Sequence, residues 1–386
     1  MGNNLQTGPS LRIGVLGGGQ LGRMMIQSAI DLDLRVEVMD PSADAPCSSL
    51  THRFVQGDLN DADAVFEFGK DLDIITIEIE NISVEGLQRL EDNGVTVLPK
   101  PAHIAIIQDK GIQKQFFADN NIPTSDFQLV NDDGDISAWG FPVVQKLRKG
   151  GYDGRGVEII KTAEAALEQR FMEPSLIEEA VNIKKELSVV IARNAQGETA
   201  TFPVVEAVFD PVANLVSSLI APAKISNAQE KEAVELAIKV VEAMEFEGLM
   251  AVEMFLDKEG NILVNEIAPR THNSGHHTIE ANRTSQFAQH LRAVCSMPLG
   301  STEKVHNAAG MINLLGSENA YGSPVYTGLA DALNITGVNP HLYGKSTVKP
   351  HRKMGHVTVT GDNMEEVQSK LLKLLSELRV DGTQKG

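Results

Sequence analysis

Apolar residues recur along this chain with two periods, and the alternation between them outlines the elements. Residues 11–16 form a β-type run, residues 17–22 a glycine turn, residues 23–30 a helical pattern and residues 35–39 another apolar run, so the chain opens as strand, turn, helix, strand. Further strands are expected over residues 74–81 and 95–98, which gives a parallel sheet of about four strands with helices between them. After Pro99-Lys100-Pro101 the character changes. Residues 109–120 read as a helix with Lys110 and Lys114 on one face, stopped by Asn121-Ile122-Pro123. Two short apolar runs, 141–146 and 157–160, flank a glycine-rich loop and read as a hairpin. A helix near 163–170 and strands over 175–181, 186–192 and 201–208 follow, the run 175–181 being a possible edge strand. Residues 252–256 and 262–266 flank Asp257-Lys258-Glu259-Gly260-Asn261, a second hairpin signal. The last element expected is an amphipathic helix over 363–378 with Val367, Leu371, Leu374 and Leu375 on its buried stripe.

Composition narrows the class. With 386 residues, 42% of them hydrophobic, the chain is long enough for two or three domains with ample core. The formal charge of −18 disfavours nucleic acid or an anionic membrane as partner, so an anionic ligand must find a local basic site. Cys47 and Cys295 stand far apart, which fits a reducing compartment and offers neither a disulfide framework nor zinc spacing. No signal pattern opens the chain and no apolar run reaches the roughly 18 residues a membrane helix needs, so a cytoplasmic protein is expected.

Several constellations carry candidate chemistry. The hairpin loop Gly150-Gly151-Tyr152-Asp153-Gly154-Arg155-Gly156, with Lys146, Arg148 and Lys149 beside it, would gather amide donors and cations on one volume, as a polyphosphate requires; a mobile solvated hairpin is the alternative. Gly17, Gly19 and Gly22 match Gly-x-Gly-x-x-Gly, with Asp40 where a dinucleotide fold places its ribose acid, which admits an oxidoreductase with NAD or FAD. Any doubly wound unit, however, needs small residues at this turn. Glu78 and Glu80 share a strand face by alternation, either lining a ligand cleft or staying solvated at the edge. In the second hairpin, pairing centred on Glu259-Gly260 sets Glu253 opposite Glu266. Facing like charges destabilise a sheet unless a divalent cation such as Mg²⁺ sits between them, or a one-residue bulge turns one glutamate to solvent. The loop from Arg270 through His272, Asn273, Ser274, His276 and His277 suits hydrogen bonding to a polar ligand more than zinc ligation. Lys345, Lys349, His351, Arg352, Lys353 and His356 form a basic island, read as a second anion site or as a solvated face.

Together these stretches resemble the ATP-grasp superfamily and, within it, the N5-carboxyaminoimidazole ribonucleotide synthetase family, over about residues 11–378. The resemblance implies an α/β (α+β overall) ATP-grasp fold: a doubly wound parallel-sheet domain over 1–108, an ATP-grasp domain with a glycine-rich lid over 109–300, and a small C-terminal domain over 301–386. It implies a carbon-nitrogen ligase in which ATP phosphorylates bicarbonate and the exocyclic amine of 5-aminoimidazole ribonucleotide is carboxylated, the alternative being another ATP-grasp carboxylase or ligase. By the same resemblance Lys110, Lys146 and Gly151 to Gly156 hold ATP phosphates; Glu178, Glu179, Ala180 and Val181 contact adenine, and Glu186 the ribose. Glu253 and Glu266 carry one or two Mg²⁺ ions with Asn265 assisting. Tyr152, Arg155, Arg270 and Lys353 surround the bicarbonate. Gln20, Leu21, Glu78, Asp153, His272, Asn273 and Ser274 line the ribonucleotide site, with Lys345 and Arg352 on its phosphate. A homodimer is implied as well. Where relatives often place a histidine after Pro203-Val204-Val205-Glu206, this chain has Val208-Phe209-Asp210.

Overall fold

The computed structural model describes residues 8–131, 139–151, 156–210 and 215–385. Its N-terminal sheet has five parallel strands in the order Arg53–Gln56, Leu34–Asp40, Gly8–Leu16, Ile74–Ile77, Thr96–Val97. The strand that the apolar pattern misses, Arg53–Gln56, has no fully buried residue and so leaves no hydrophobic signature. Ile74–Ile77 is shorter than expected. Its neighbour turns away at Gly17, so pairing ends at Leu16 opposite Ile77, with the Glu78 N–H still reaching Leu16 O at 2.8 Å. Glu78 and Glu80 therefore lie beyond the strand rather than on one of its faces.

A four-stranded antiparallel sheet follows, ordered Phe127–Val130, Ser175–Glu179, Val143–Leu147, Val157–Ile160. The glycine-rich hairpin is its outer pair, as expected. Ser175–Glu179 is paired on both sides and is not an edge; Leu176 and Ile177 are buried in it.

The largest sheet is antiparallel throughout and runs Ile262–Ala268, Gly248–Asp257, Ile183–Arg193, Val205–Asp210, Leu215–Ala221, Ala308–Leu315, Lys353–Gly361, Val338–Leu342. The run 201–208 divides between Thr199–Thr201 and Val205–Asp210. Helix Asn227–Ala243 packs Ala233, Ala237 and Val240 on one end of this sheet, and helix Met364–Glu377 packs Val367, Leu371 and Leu374 on the other. Leu375 falls one residue past that stripe and is 37% exposed, contrary to expectation. The helix is also not the last element, since Arg379–Lys385 pairs with Ala320–Thr327. Helix Gln286–Val294 places Phe287 and Leu291 in the core of the N-terminal sheet, against Ile13, Met25 and Val36. That packing brings the polar loop preceding the helix beside the glycine turn. No helix among the described residues is long and apolar enough to cross a membrane.

Candidate active site

Glu253 and Glu266 face each other across strands Gly248–Asp257 and Ile262–Ala268, as the hairpin arithmetic required, but in a different way. Leu256 pairs with Ile262, Phe255 with Leu263 and Met254 with Val264, one step off the expected register. A bulge then leaves Asn265 without an opposite residue and restores the pairing at Glu253. The bulge creates the facing acids instead of separating them. Both side chains are about a third exposed, on a cleft floor. Burial, then the charges of Glu266 and Glu186, raise the Glu253 carboxyl above the ordinary range. Burial pushes Glu266 the same way, yet Lys110, in hydrogen-bonded contact with it, outweighs burial and keeps it ionised. Glu186, on the adjoining strand Ile183–Arg193, is lifted to about 7 by burial and by Glu266.

Cations meet these acids from the smaller sheet and from helix Lys110–Asp119. Asp109 caps that helix, accepting from Gly111 N at 2.9 Å and Ile112 N at 3.2 Å, and is gripped by Arg148 at 2.7 Å; the cap fixes Lys110 on the first turn. Lys146 donates to Asn265 Oδ1 at 2.9 Å and pairs with Glu178 Oε2 at 2.5 Å. Glu178 Oε1 pairs with Lys114 at 2.7 Å. The Glu178 side chain is thus committed to lysines, whereas Ala180 and Val181 lie in the short connection between the two sheets. Glu179 is exposed, and its N–H donates to Asp126 O at 3.0 Å. Gly150 and Gly156 both adopt positive φ (78° and 73°), and Leu147 N donates to Gly156 O at 2.8 Å, closing the hairpin neck. Gly151 adjoins the neck; the roles expected of Tyr152, Asp153, Gly154 and Arg155 fall outside the described residues, as does the side chain of Phe209.

A second group of residues is built on Glu78. Its Oε1 accepts from Leu21 N at 3.1 Å at the start of helix Gln20–Asp31, and burial raises its carboxyl to about 7. A Cβ on Gly19 would lie 2.5 Å from Glu78 Oε1, and Gly17 has φ +102°, so the glycines are required by this carboxylate and this turn. The helix N-terminus where a dinucleotide pyrophosphate would sit is already taken by an acid, and Asp40 accepts from Gly18 N at 2.7 Å. Neither feature suits the oxidoreductase reading. Arg270 pairs with Glu80 at 2.8 Å and donates to Thr271 O at 2.9 Å.

Arg270 interacts with acids of both groups, Glu78 and Glu80 on one side and Glu253 on the other, and His272 stands beside Glu253. The Nδ1 of His272 lies 2.9 Å from Ser274 Oγ and its Nε2 lies 3.2 Å from Glu253 Oε1. Burial, then Arg270 and Lys353, lower His272 to about 3, so the ring is neutral beside Glu253. Ser274 Oγ also meets Ser188 Oγ at 2.8 Å. Gln286 clamps the loop, accepting from His272 N at 2.9 Å and donating to His272 O at 2.7 Å. Asn273 begins the one-turn helix Asn273–Gly275. Of the loop's three histidines only His272 faces the acids. His276 packs between Phe287 and His356 at ring separations of 5.9 and 4.6 Å, and His277 is buried.

The basic island divides in three. Lys345, Arg352 and Lys353 are half-buried, Lys349 and His351 are exposed, and His356 is in the core. Lys345 Nζ donates to Lys353 O at 2.8 Å, and Arg352 to Thr347 O at 2.7 Å. Burial and then Arg352 bring Lys345 down to about 8. Ser346 Oγ donates to Asp44 Oδ2 at 2.6 Å, which ties the island to the loop after Asp40. The sequence therefore pointed to the principal chemistry and missed its supports. Lys114 was visible four residues after Lys110, and Glu80 two after Glu78, but their partners were not; Gln286 gave no signal.

The likeness to known proteins follows the same geography. Residues 11–108 match the ribonucleotide synthetase preATP-grasp domain family, residues 115–287 the ATP-grasp domain family and residues 309–370 the phosphoribosylaminoimidazole carboxylase C-terminal domain family. The chain is 36% identical over 359 residues to N5-carboxyaminoimidazole ribonucleotide synthase of Bacillus subtilis, covering 91% of each. It is 39% identical over 373 residues to the chloroplastic phosphoribosylaminoimidazole carboxylase of Vigna aconitifolia, covering 94% of this chain and 66% of that longer protein. The structure of N5-carboxyaminoimidazole ribonucleotide synthetase from Thermotoga maritima superposes with a TM-score of 0.89 at 44% identity, covering 96% of this chain and 99% of that one. An Aspergillus clavatus synthase in complex with ADP and 5-aminoimidazole ribonucleotide gives 0.85 at 31% identity, covering 95% and 99%. With its three regions and its paired acids in this arrangement, the chain belongs to the N5-carboxyaminoimidazole ribonucleotide synthase family of ATP-grasp ligases.

Proposed function

We propose that this chain carboxylates the exocyclic amine of 5-aminoimidazole ribonucleotide at the expense of ATP, with bicarbonate as the carbon source, in purine biosynthesis. The observation that carries the reading is the convergence of the facing acids Glu253 and Glu266, the lysines Lys110 and Lys146, and, through Arg270, the carboxylates Glu78 and Glu80. ATP lies between the two antiparallel sheets, its phosphates on Lys110, Lys146 and the hairpin from Gly151 to Gly156, its adenine against the backbone from Glu179 to Val181 and its ribose on Glu186. The donor set fits Mg²⁺: two carboxylates and the Asn265 amide oxygen are hard ligands, and the repulsion that lifts Glu253 is what a divalent cation relieves. Mg²⁺, when bound, neutralises charge on the phosphates during transfer.

Bicarbonate oxygen attacks the γ-phosphorus and ADP leaves; the resulting carboxyphosphate releases phosphate and CO2, and the amine captures the CO2 with loss of a proton. Arg270, held by Glu80, and Lys353 balance the charge of bicarbonate and carboxyphosphate, together with Tyr152 and Arg155 on the hairpin. Gln20, Leu21, Glu78, His272, Asn273 and Ser274 hold the aminoimidazole and its ribose, and Lys345 and Arg352 its phosphate. This chemistry depends chiefly on positioning and fixed charge, with little covalent help. We divide the chain at 108 and 300 into three working domains, and place it in the cytoplasm as a homodimer, a state that sedimentation tests directly.

The deciding measurement is phosphate release from Mg·ATP and bicarbonate with and without 5-aminoimidazole ribonucleotide. Strong stimulation with stoichiometric carboxylated product supports the assignment. Hydrolysis indifferent to that acceptor would leave an ATP-grasp ligase of another substrate.

A further inference from the structure

We infer that Lys114 is a positioning residue for nucleotide binding: it keeps the Glu178 carboxylate paired inside the cleft so that the Lys146 ammonium can leave it for a phosphate. The inference rests on the nucleotide reading above. Glu178 is 3% exposed, and each of its oxygens carries a different ammonium, Lys114 at 2.7 Å and Lys146 at 2.5 Å.

The two lysines differ in what else holds them. Lys114 is 2% exposed, rises from helix Lys110–Asp119, and also donates to Ser125 Oγ at 2.9 Å and to Thr124 Oγ1, on the segment leading into the smaller sheet. Thr124 in turn donates to Val264 O at 2.6 Å, next to the bulged Asn265. Lys114 is therefore fixed from three sides. Lys146 stands on the hairpin strand Val143–Leu147, and among the described residues its other hydrogen-bond partner is the amide oxygen of Asn265, next to Glu266.

Free space beside these groups is about 10 Å³, room for roughly one water. A polyphosphate arriving here meets Lys146 already paired, and a phosphate oxygen on Lys146 replaces the Glu178 carboxylate like for like. Were Lys146 the sole partner of Glu178, that exchange would strand a buried carboxylate, which is strongly unfavourable. With Lys114 in place the carboxylate keeps a partner throughout, and Lys146 trades one anion for another.

The test is a double-mutant cycle read as ATP and ADP affinity by calorimetry, on wild type, Lys114→Met, Glu178→Gln and the double variant. Lys114→Met should weaken both nucleotides about tenfold or more, because Glu178 then retains Lys146. Adding Glu178→Gln should restore affinity to within about threefold of Glu178→Gln alone, since Lys114 acts only through that carboxylate. Unchanged affinity in Lys114→Met overturns the inference, as does a double variant that stays as weak as Lys114→Met, the result of a merely structural role. Should Lys114→Met fail to fold, Glu178→Gln and the double variant decide alone: equal affinities support the inference and a tenfold gap overturns it. Wild type that binds neither nucleotide removes the nucleotide reading itself; wild type that binds and is matched by Lys114→Met removes only this inference.

Discussion

Glu253 and Glu266 stand directly opposite each other because Asn265 bulges out of the ladder between two registers. The hairpin near its turn runs one step short of the pairing that would align them, and the extra residue supplies that step. The same bulge leaves Asn265 free of the ladder, so its amide oxygen reaches Lys146 at 2.9 Å. One backbone irregularity thus places two acids and an amide on a single rim, a common use of bulges beside active sites.

Glu266→Gln removes one of the two charges that suit the pair to a divalent cation and releases Lys110 from its partner. Turnover should fall by about a hundredfold or more, with the apparent requirement for Mg²⁺ raised. Phosphate release measured across a Mg²⁺ titration checks this, and near-wild-type turnover would refute the metal assignment.

Glu78 gives a pH signature. Its folded value of about 7 lies above the ordinary 4.5, chiefly through burial. A raised carboxyl stabilises the fold relative to its ionised form below the ordinary value, and that contribution is lost as pH rises through 7, when a buried group must ionise. Glu78→Gln does not titrate. Its stability relative to wild type should therefore rise between pH 5 and pH 8, by at most about 3 kcal/mol. Denaturant unfolding of both proteins at pH 5, 7 and 8 tests the sign; a difference independent of pH would contradict it.

The residues that betrayed themselves in the sequence did so through local pattern. The strand ending at Leu16, the turn opening at Gly17 and the glycine hairpin after Leu147 are each set by neighbours a few positions away, although the helix begins at Gln20 and not at Arg23, where the sequence pattern placed it. Glu253 opposite Glu266 was reached through the wrong register: Ile262, Leu263 and Val264 are apolar on both faces, so they carry no phase from which a bulge could be read. Residues whose meaning depends on distant chain stayed silent. Leu215–Ala221 hydrogen-bonds to Ala308–Leu315, which makes the C-terminal strands an extension of the largest sheet. Glu80 and Lys114 likewise gain their roles only when other strands deliver Arg270 and Glu178 to them.

Glu80 is expected to matter through Arg270. The guanidinium is permanently charged and largely buried, and Glu80 at 2.8 Å is its carboxylate partner. Glu80→Ala should lower kcat about tenfold with little change in the KM for ATP, while Glu80→Gln, which keeps an acceptor, should lose less. Steady-state kinetics on both variants distinguishes them, and equal kcat in wild type and Glu80→Ala would remove Glu80 from the site.

Arg352 separates the two substrates. Its guanidinium is oriented by Thr347 O at 2.7 Å beside Lys345, on the island tied by Ser346 to Asp44, whereas the lysines assigned to ATP pair with Glu266 and Glu178. Arg352→Ala should raise the KM for 5-aminoimidazole ribonucleotide about tenfold or more, the worth of one or two charge-assisted hydrogen bonds. The KM for ATP should stay within about twofold, because uniform loss of one substrate's binding leaves the other untouched. Varying each substrate at saturation of the other measures both constants; a defect confined to ATP would mean that the island faces the nucleotide cleft and that the division of the two sites is wrong.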